Sequence, residues 1–296
     1  MLIARLIADP DGLETRLEKV AAALAAAGMH KGCEIGSRAL DDGKIILQIT
    51  APDGDQTMLR TIIEQNLASL AALITERNYA PLRLFVSDMD STMIEQECID
   101  ELADFAGLKD QVSAITERAM RGEIDFEEAL HERVGLLAGL PESAIAQCLE
   151  QRITLMPGAK TLVQTLKSKN CQTALVTGGF HHFADAIAQQ LGFDRVVGNR
   201  LEVDGGKLTG GLEGPIADSA TKLSVLREEQ SKLVTGTVLA TGDGANDIPM
   251  LKAADFGFAY KAKPKAREAA SGWIDGRDLT AILELLDIPK NEWVTD

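Results

Sequence analysis

Apolar and polar positions change rhythm along this chain. LIARLI (2–7) has the make-up of a short strand, and ETRLEKVAAALAAAG then sets Leu17, Val20, Leu24 and Ala27 at helical spacing before Gly28. CEIGSRAL and KIILQITA flank Asp41-Asp42-Gly43, a hairpin signal. A second helix is predicted from Gln56 to Thr75, with Leu59, Ile62, Ile63, Leu67 and Leu70 on one face. The order is therefore β-α-β-β-α. It ends at Asn78-Tyr79-Ala80-Pro81, where proline breaks the pattern and marks a boundary between residues 1–80 and 81–296.

From Leu82 the rhythm becomes an alternation of strands and helices. LRLFVS (82–87), TALVT (173–177), TVLAT (237–241) and FGFAY (256–260) are strand-like, each followed by a helical pattern. That alternation predicts an α/β fold with a parallel sheet covered by helices on both faces, and such sheets bind ligands at the carboxyl ends of their strands. Residues 97–153 are almost wholly helical in pattern. They are too many for an ordinary crossover, so they are read as a helical cap inserted over the ligand edge. A smaller hairpin, RLEVDGGKLTG, interrupts the pattern near 200–210.

Composition narrows the function classes. The chain has 296 residues, 45% hydrophobic and 25% charged, with 45 acidic against 30 basic residues and a formal net charge of −15. That field repels a polyanion and no basic run overrides it, so a nucleic-acid partner is not expected. Cys33, Cys98, Cys148 and Cys171 lie far apart without metal-ligand spacing, which predicts reduced thiols. The start MLIARLIADPDG lacks the apolar run of a signal peptide, and no stretch approaches the roughly 18 apolar residues of a membrane span. These features predict a cytoplasmic protein with no membrane partner.

The candidate chemistry sits where strands end. In FVSDMDSTMIEQE, Asp88 and Asp90 close the first strand of the second region. Oxygen ligands of this kind suit Mg²⁺, although acidic pairs also cap strands and turns, so the pair alone leaves both readings open. TGDGANDIPM adds Asp243 and Asp247 behind another strand, with Asn246 between them; a turn with a helix cap is the alternative. VTGGF puts Thr177 and two glycines at a helix start, a place that suits an anion. Lys222, in ADSATKLSVL, lies near the start of a later helix, against the dipole. His181 and His182 are read as packing or surface residues of the helix after VTGGF.

DMDST, TGG, a lone lysine and GDGAND, in that order and at those positions, resemble the four motifs of the haloacid dehalogenase-like (HAD) phosphohydrolases, over residues 82–290. Within them, DMDSTMIEQECIDELADFAG and RAMRGEIDFEEALHERV are similar to the phosphoserine phosphatase family. The resemblance implies a Rossmann-like sheet and Mg²⁺-dependent hydrolysis of O-phospho-L-serine, the last step of L-serine biosynthesis. It implies Asp88 as nucleophile and Asp90 as acid and base. It assigns Mg²⁺ to Asp88, the Asp90 carbonyl and Asp243, with Asp247 in support. Thr177 and Lys222 would meet the phosphoryl oxygens. Glu97 would meet the ammonium and Arg133 the carboxylate, with Met120 and Phe126 as apolar cap contacts and Gly178 and Asn246 as core contacts. Thr177 stands where many relatives have serine, and the hydroxyl is kept. The amino-terminal unit resembles a ferredoxin-like, ACT-type domain, which implies homodimerisation and serine sensing, with a structural spacer as the alternative. Another small-molecule HAD phosphomonoesterase and, less well matched, a phospho-aspartate receiver are the alternative functions.

Overall fold

The computed structural model describes residues 1–76, 81–121 and 123–295, without the Met120 side chain. The linker assigned to Asn78, Tyr79 and Ala80 lies outside the described residues. The amino-terminal unit comprises β1 (Leu2–Ala8), α1 (Leu13–Ala26), β2 (Glu34–Ala39), β3 (Ile45–Ala51), α2 (Gln56–Asn66) and β4 (Ser69–Thr75). Then β5 (Leu82–Ser87) leads into four cap helices, α3 (Cys98–Phe105), α4 (Lys109–Met120), α5 (Phe126–Gly135) and α6 (Ser143–Arg152). The chain returns through α7 (Ala159–Ser168), β6 (Gln172–Phe180), α8 (His181–Leu191), and the hairpin of β7 (Arg195–Asp204) and β8 (Lys207–Glu213). It ends with α9 (Ser219–Ser231), β9 (Thr237–Gly242), α10 (Ile248–Ala253), β10 (Phe256–Tyr260), α11 (Pro264–Ala269), β11 (Gly272–Ile274) and α12 (Ala281–Leu285).

All eleven strands described join one sheet in the order β2-β3-β1-β4-β11-β10-β9-β5-β6-β7-β8. From β11 to β7 the pairing is parallel, which buries both faces and explains the nearly unbroken apolar runs of β5, β9 and β10. The register sets Ser87 of β5 opposite Thr241 of β9 and Leu175 of β6. Asp88, Asp243 and Thr177 consequently leave the sheet along one edge. The cap leaves and rejoins at that edge through a narrow neck. Ile94 bridges Leu155, the Glu95 N–H donates to the Thr154 carbonyl at 3.0 Å and the Met156 N–H to the Met93 carbonyl at 2.9 Å.

One predicted element is corrected. The helix expected from Gln56 to Thr75 stops at Asn66, where Leu67 turns extended (φ −117°, ψ 120°), and SLAALIT becomes β4. Its apolar residues are buried on both faces between β1 and β11, so they fit neither an alternating strand nor a one-sided helix. The partner β11 (GWI) has three residues, too few to predict from pattern. Together these strands carry the sheet across from the amino-terminal unit. No helix among the described residues is long and apolar enough to cross a membrane, and the four cysteines are unpaired.

Trp273 sits at that junction, fully buried in β11, with the guanidinium carbons of Arg60 and Arg267 4.6 and 4.8 Å from its ring centroid. Arg60, from α2, also donates to the carbonyls of Arg267, Glu268 and Ala270 at 2.6, 3.2 and 2.8 Å, satisfying the free carboxyl end of α11. Truncation of a buried aromatic costs its transfer energy and leaves a cavity. Trp273→Ala is therefore expected to lower unfolding stability by about 3–5 kcal/mol. Urea denaturation followed by circular dichroism checks this, and an unchanged midpoint would contradict it.

Candidate active site

Three strand ends and one helix start build the site. Asp88 follows β5 directly, and its N–H donates to the Thr241 carbonyl at 3.0 Å, locking the β5 end to β9. Asp88 Oδ1 accepts from the Met89 N–H at 2.7 Å and from the Lys222 ammonium at 2.7 Å. Both donors lie on one oxygen, so Oδ2 keeps its lone pairs for other chemistry. Lys222, 1% exposed in the first turns of α9, also reaches Asp247 Oδ1 at 2.6 Å. Asp247 Oδ2 accepts the N–H groups of Asp243 and Gly244 at 3.1 and 2.9 Å, which folds the GDGAND turn around it.

Carboxylate oxygens of Asp88, Asp243 and Asp247 approach within 4.8 Å of one another, all three residues buried. Two of these carboxylates, Asp88 and Asp247, share the Lys222 ammonium, and the third, Asp243, lies beside them, an arrangement that burial makes costly without a further cation. The electrostatics follow. Burial, then the Asp247 charge, pushes Asp88 well up against the opposing pull of Lys222. Burial, then Asp247 and Glu97, raises Asp243 to about 6. Burial alone would lower Lys222, but Asp88 and Asp247 outweigh it and hold the ammonium charged. Hard oxygens clustered this closely are the donor set of a divalent cation such as Mg²⁺.

Asp90 stands in a different environment. Its Oδ1 accepts the Cys98 N–H at 3.0 Å, at the start of α3, and its Oδ2 faces the Thr177 hydroxyl at 3.3 Å. Burial first, then the Glu97 carboxylate, raises it to about 7, the range in which a carboxyl both gives and takes a proton at neutral pH. Thr177, Gly178 and Gly179, expected at a helix start, instead form the end of β6 before α8 begins at His181; the Gly179 N–H donates to Thr177 Oγ1 at 2.8 Å, which bends this strand end onto its own hydroxyl.

A cavity of about 390 Å³ is lined by Asp88, Asp90, Glu97, Phe126, Arg133, Thr177, Gly178, Asp243 and Asn246. Lys222 and Asp247 support it from the buried side, Lys222 lining a neighbouring space of about 710 Å³ that shares Phe126, Gly178 and Asn246. The side chain of Met120, expected in the cap wall, lies outside the described residues. Glu97 precedes α3 and accepts from the Ser91 hydroxyl at 2.8 Å. Among the described residues Arg133, in α5, donates to the Ala129 carbonyl of its own helix at 3.2 Å; burial lowers its pKa while Asp100 and Glu97 oppose that. Phe126, 42% exposed, projects from the cap toward Gly178, where a Cβ would stand 3.5 Å from the ring.

Two residues escaped the pattern. Buried Asn199, in β7, donates to the Gly178 carbonyl at 2.7 Å and accepts the Ala217 N–H at 2.8 Å, clamping the TGG turn; no local signal marks it. Lys263 also lines the cavity, and its position before Pro264 was visible without suggesting a role. His181 bonds Asp185 within α8 at 2.9 Å and burial lowers His182; neither lines the cavity.

A family model for haloacid dehalogenase-like hydrolases matches residues 85–252, and a second of the same description matches 220–286. The chain belongs to the haloacid dehalogenase-like hydrolases. It is 47% identical over 206 residues to the phosphoserine phosphatase of Lactococcus lactis, covering 69% of this chain and 95% of that protein. It is 46% identical over 209 residues to the phosphoserine phosphatase of Archaeoglobus fulgidus, covering 70% of this chain but 60% of that protein. A crystal structure of a HAD family hydrolase from Salmonella enterica serovar Typhi superposes with a TM-score of 0.83 at 28% identity, covering 97% of this chain and 99% of the other. Within the hydrolases, the family is that of the phosphoserine phosphatases.

Gly179 tests the geometry. A side chain there would place its first carbon 2.6 Å from Asp90 Oδ2 and 3.1 Å from Thr177 Oγ1. Gly179→Ala should therefore displace Asp90 and lower phosphomonoester turnover about 100-fold while leaving the unfolding transition intact. Steady-state rates beside thermal unfolding check this, and wild-type turnover would contradict the placement.

Proposed function

We propose that this chain hydrolyses O-phospho-L-serine to L-serine and inorganic phosphate, through an aspartyl-phosphate on Asp88 and with Mg²⁺ as cofactor. The observation that carries the reading is that one cavity is lined by Asp88, Asp90 and Thr177 from the core and by Glu97 and Arg133 from the cap. The first group suits a phosphoryl centre. The second suits the ammonium and carboxylate of an amino acid, with the guanidinium able to meet a carboxylate in two parallel bonds.

The free oxygen of Asp88 attacks phosphorus, and the bond from phosphorus to the serine oxygen breaks. Asp90 gives its proton to that leaving oxygen. Asp90, now ionised, takes a proton from water as the water oxygen attacks phosphorus. The bond to Asp88 breaks and phosphate departs. Lys222 and Thr177 stabilise charge on the phosphoryl oxygens, the electrostatic part of phosphoryl transfer. Asp88, the Asp90 carbonyl and Asp243 would hold Mg²⁺, with Asp247 orienting the turn; when bound, the ion supplies Lewis-acid stabilisation of phosphoryl charge. Phe126 closes the cap side, and Gly178 and Asn246 bound the core side. The product, free serine, fits the last step of serine biosynthesis.

A substrate panel tests the reading. Phosphoserine should turn over faster than phosphothreonine or a simple aryl phosphate, and chelation should abolish the activity until Mg²⁺ is restored. Arg133→Ala should lower kcat/KM for phosphoserine by about 100-fold, the cost of one charge-assisted contact, and spare the aryl phosphate. Equal rates across the panel would point instead to a general phosphomonoesterase, and equal losses on both substrates would remove the carboxylate clamp.

A further inference from the structure

Three cationic side chains line or underlie the cavity, and they are not equivalent. Lys222 is consumed by Asp88 and Asp247, and Arg133 is held in the cap. Lys263 is exposed and lines the cavity beside Asp243 and Gly244; its charge is felt at Asp243, but no carboxylate lies within salt-bridge distance of its ammonium among the described residues. Several other lysines of this surface are paired, as Lys167 is with Asp194 at 2.6 Å and Lys232 with Glu228 at 3.0 Å. The backbone that carries Lys263 is anchored at both ends. Its N–H donates to the Asp243 carbonyl at 2.9 Å, Pro264 fixes the first residue of α11, and Arg60 holds the carbonyls at the end of that helix.

We infer that Lys263 is a substrate-capture residue: its unpaired ammonium at the cavity wall draws the dianionic phosphate group in before the buried Lys222 and Thr177 engage it. The inference rests on the phosphomonoesterase reading. A chain of net charge −15 repels a dianion at long range, so a local cation at the entrance governs encounter more than turnover. Lys263 is a positioning residue for the arriving substrate, not a group in the bond-making step.

The test compares Lys263→Gln, Lys263→Arg and Lys265→Gln with the wild type. Lys265 lies in the first turn of α11, two residues after Lys263, but does not line the cavity, so its substitution makes the same change in net charge elsewhere. Phosphoserine kinetics would be measured with Mg²⁺ from about 20 to about 300 mM ionic strength, where screening of exposed charges becomes strong. Lys263→Gln should lower kcat/KM about fivefold at low salt, change kcat by less than about twofold and flatten the salt dependence. Lys263→Arg should retain the wild-type profile, and Lys265→Gln should match the wild type. Calorimetric binding of inorganic phosphate, which needs no turnover, should weaken by a similar factor in Lys263→Gln alone. An inert wild type whose phosphate binding still depends on Lys263 would overturn the substrate assignment and support the capture role. Turnover with Lys263-independent phosphate affinity and salt dependence, an equal effect of Lys265→Gln, or a loss confined to kcat would overturn the capture role.

Discussion

The site depends on one buried ion pair that is really a triad: the Lys222 ammonium between Asp88 and Asp247. Removing three such charges from water costs several kcal/mol each unless they meet at short range with their remaining lone pairs satisfied. Here the carboxylates come from two different strand ends and the ammonium from a helix between them in sequence. The triad therefore forms only if β5 and β9 are neighbours in register, which the Asp88 N–H to Thr241 carbonyl bond and the Ser87–Thr241 hydroxyl contact at 2.7 Å secure. Charge compensation and strand register are the same constraint.

The same constraint separates the two aspartates of DMD. Asp88 is tied to the lysine, whereas Asp90 turns away to the start of α3 and the Thr177 hydroxyl. Burial raises both carboxyls, but only Asp88 has the Lys222 ammonium pulling against that rise at contact distance. Two residues apart in sequence, they meet different surroundings because the strand has ended and the chain turns at Ser91, whose φ of 54° is left-handed. The cap adds Glu97 and Arg133 to the same cavity through its narrow neck. The residues proposed for recognition and those proposed for chemistry are thus attached to one strand end.

The core of this arrangement was legible in the sequence because its signals are local. A strand ending in DMD, another ending in GDGAND, and a long helical stretch between strands can each be read from a dozen or so residues, and the structure brings them to one edge. What was not legible depends on distant partners. SLAALIT reads as helix because its burial comes from strands on both sides, and GWI is a strand only because β4 and β10 flank it. Asn199 and Lys263 join the site through the fold around them, the one by clamping the TGG turn and the other by way of the Asp243 carbonyl.

The proposed mechanism requires that Asp88 be phosphorylated in each turnover. Rapid acid quench of the enzyme with phosphorus-labelled phosphoserine and Mg²⁺, followed by peptide mapping, measures it directly. Transient label is expected on the peptide that contains Asp88, rising before steady state and decaying as substrate is exhausted. Label on another residue, or substrate turnover without a labelled enzyme species while the chemical step is resolved, would contradict it.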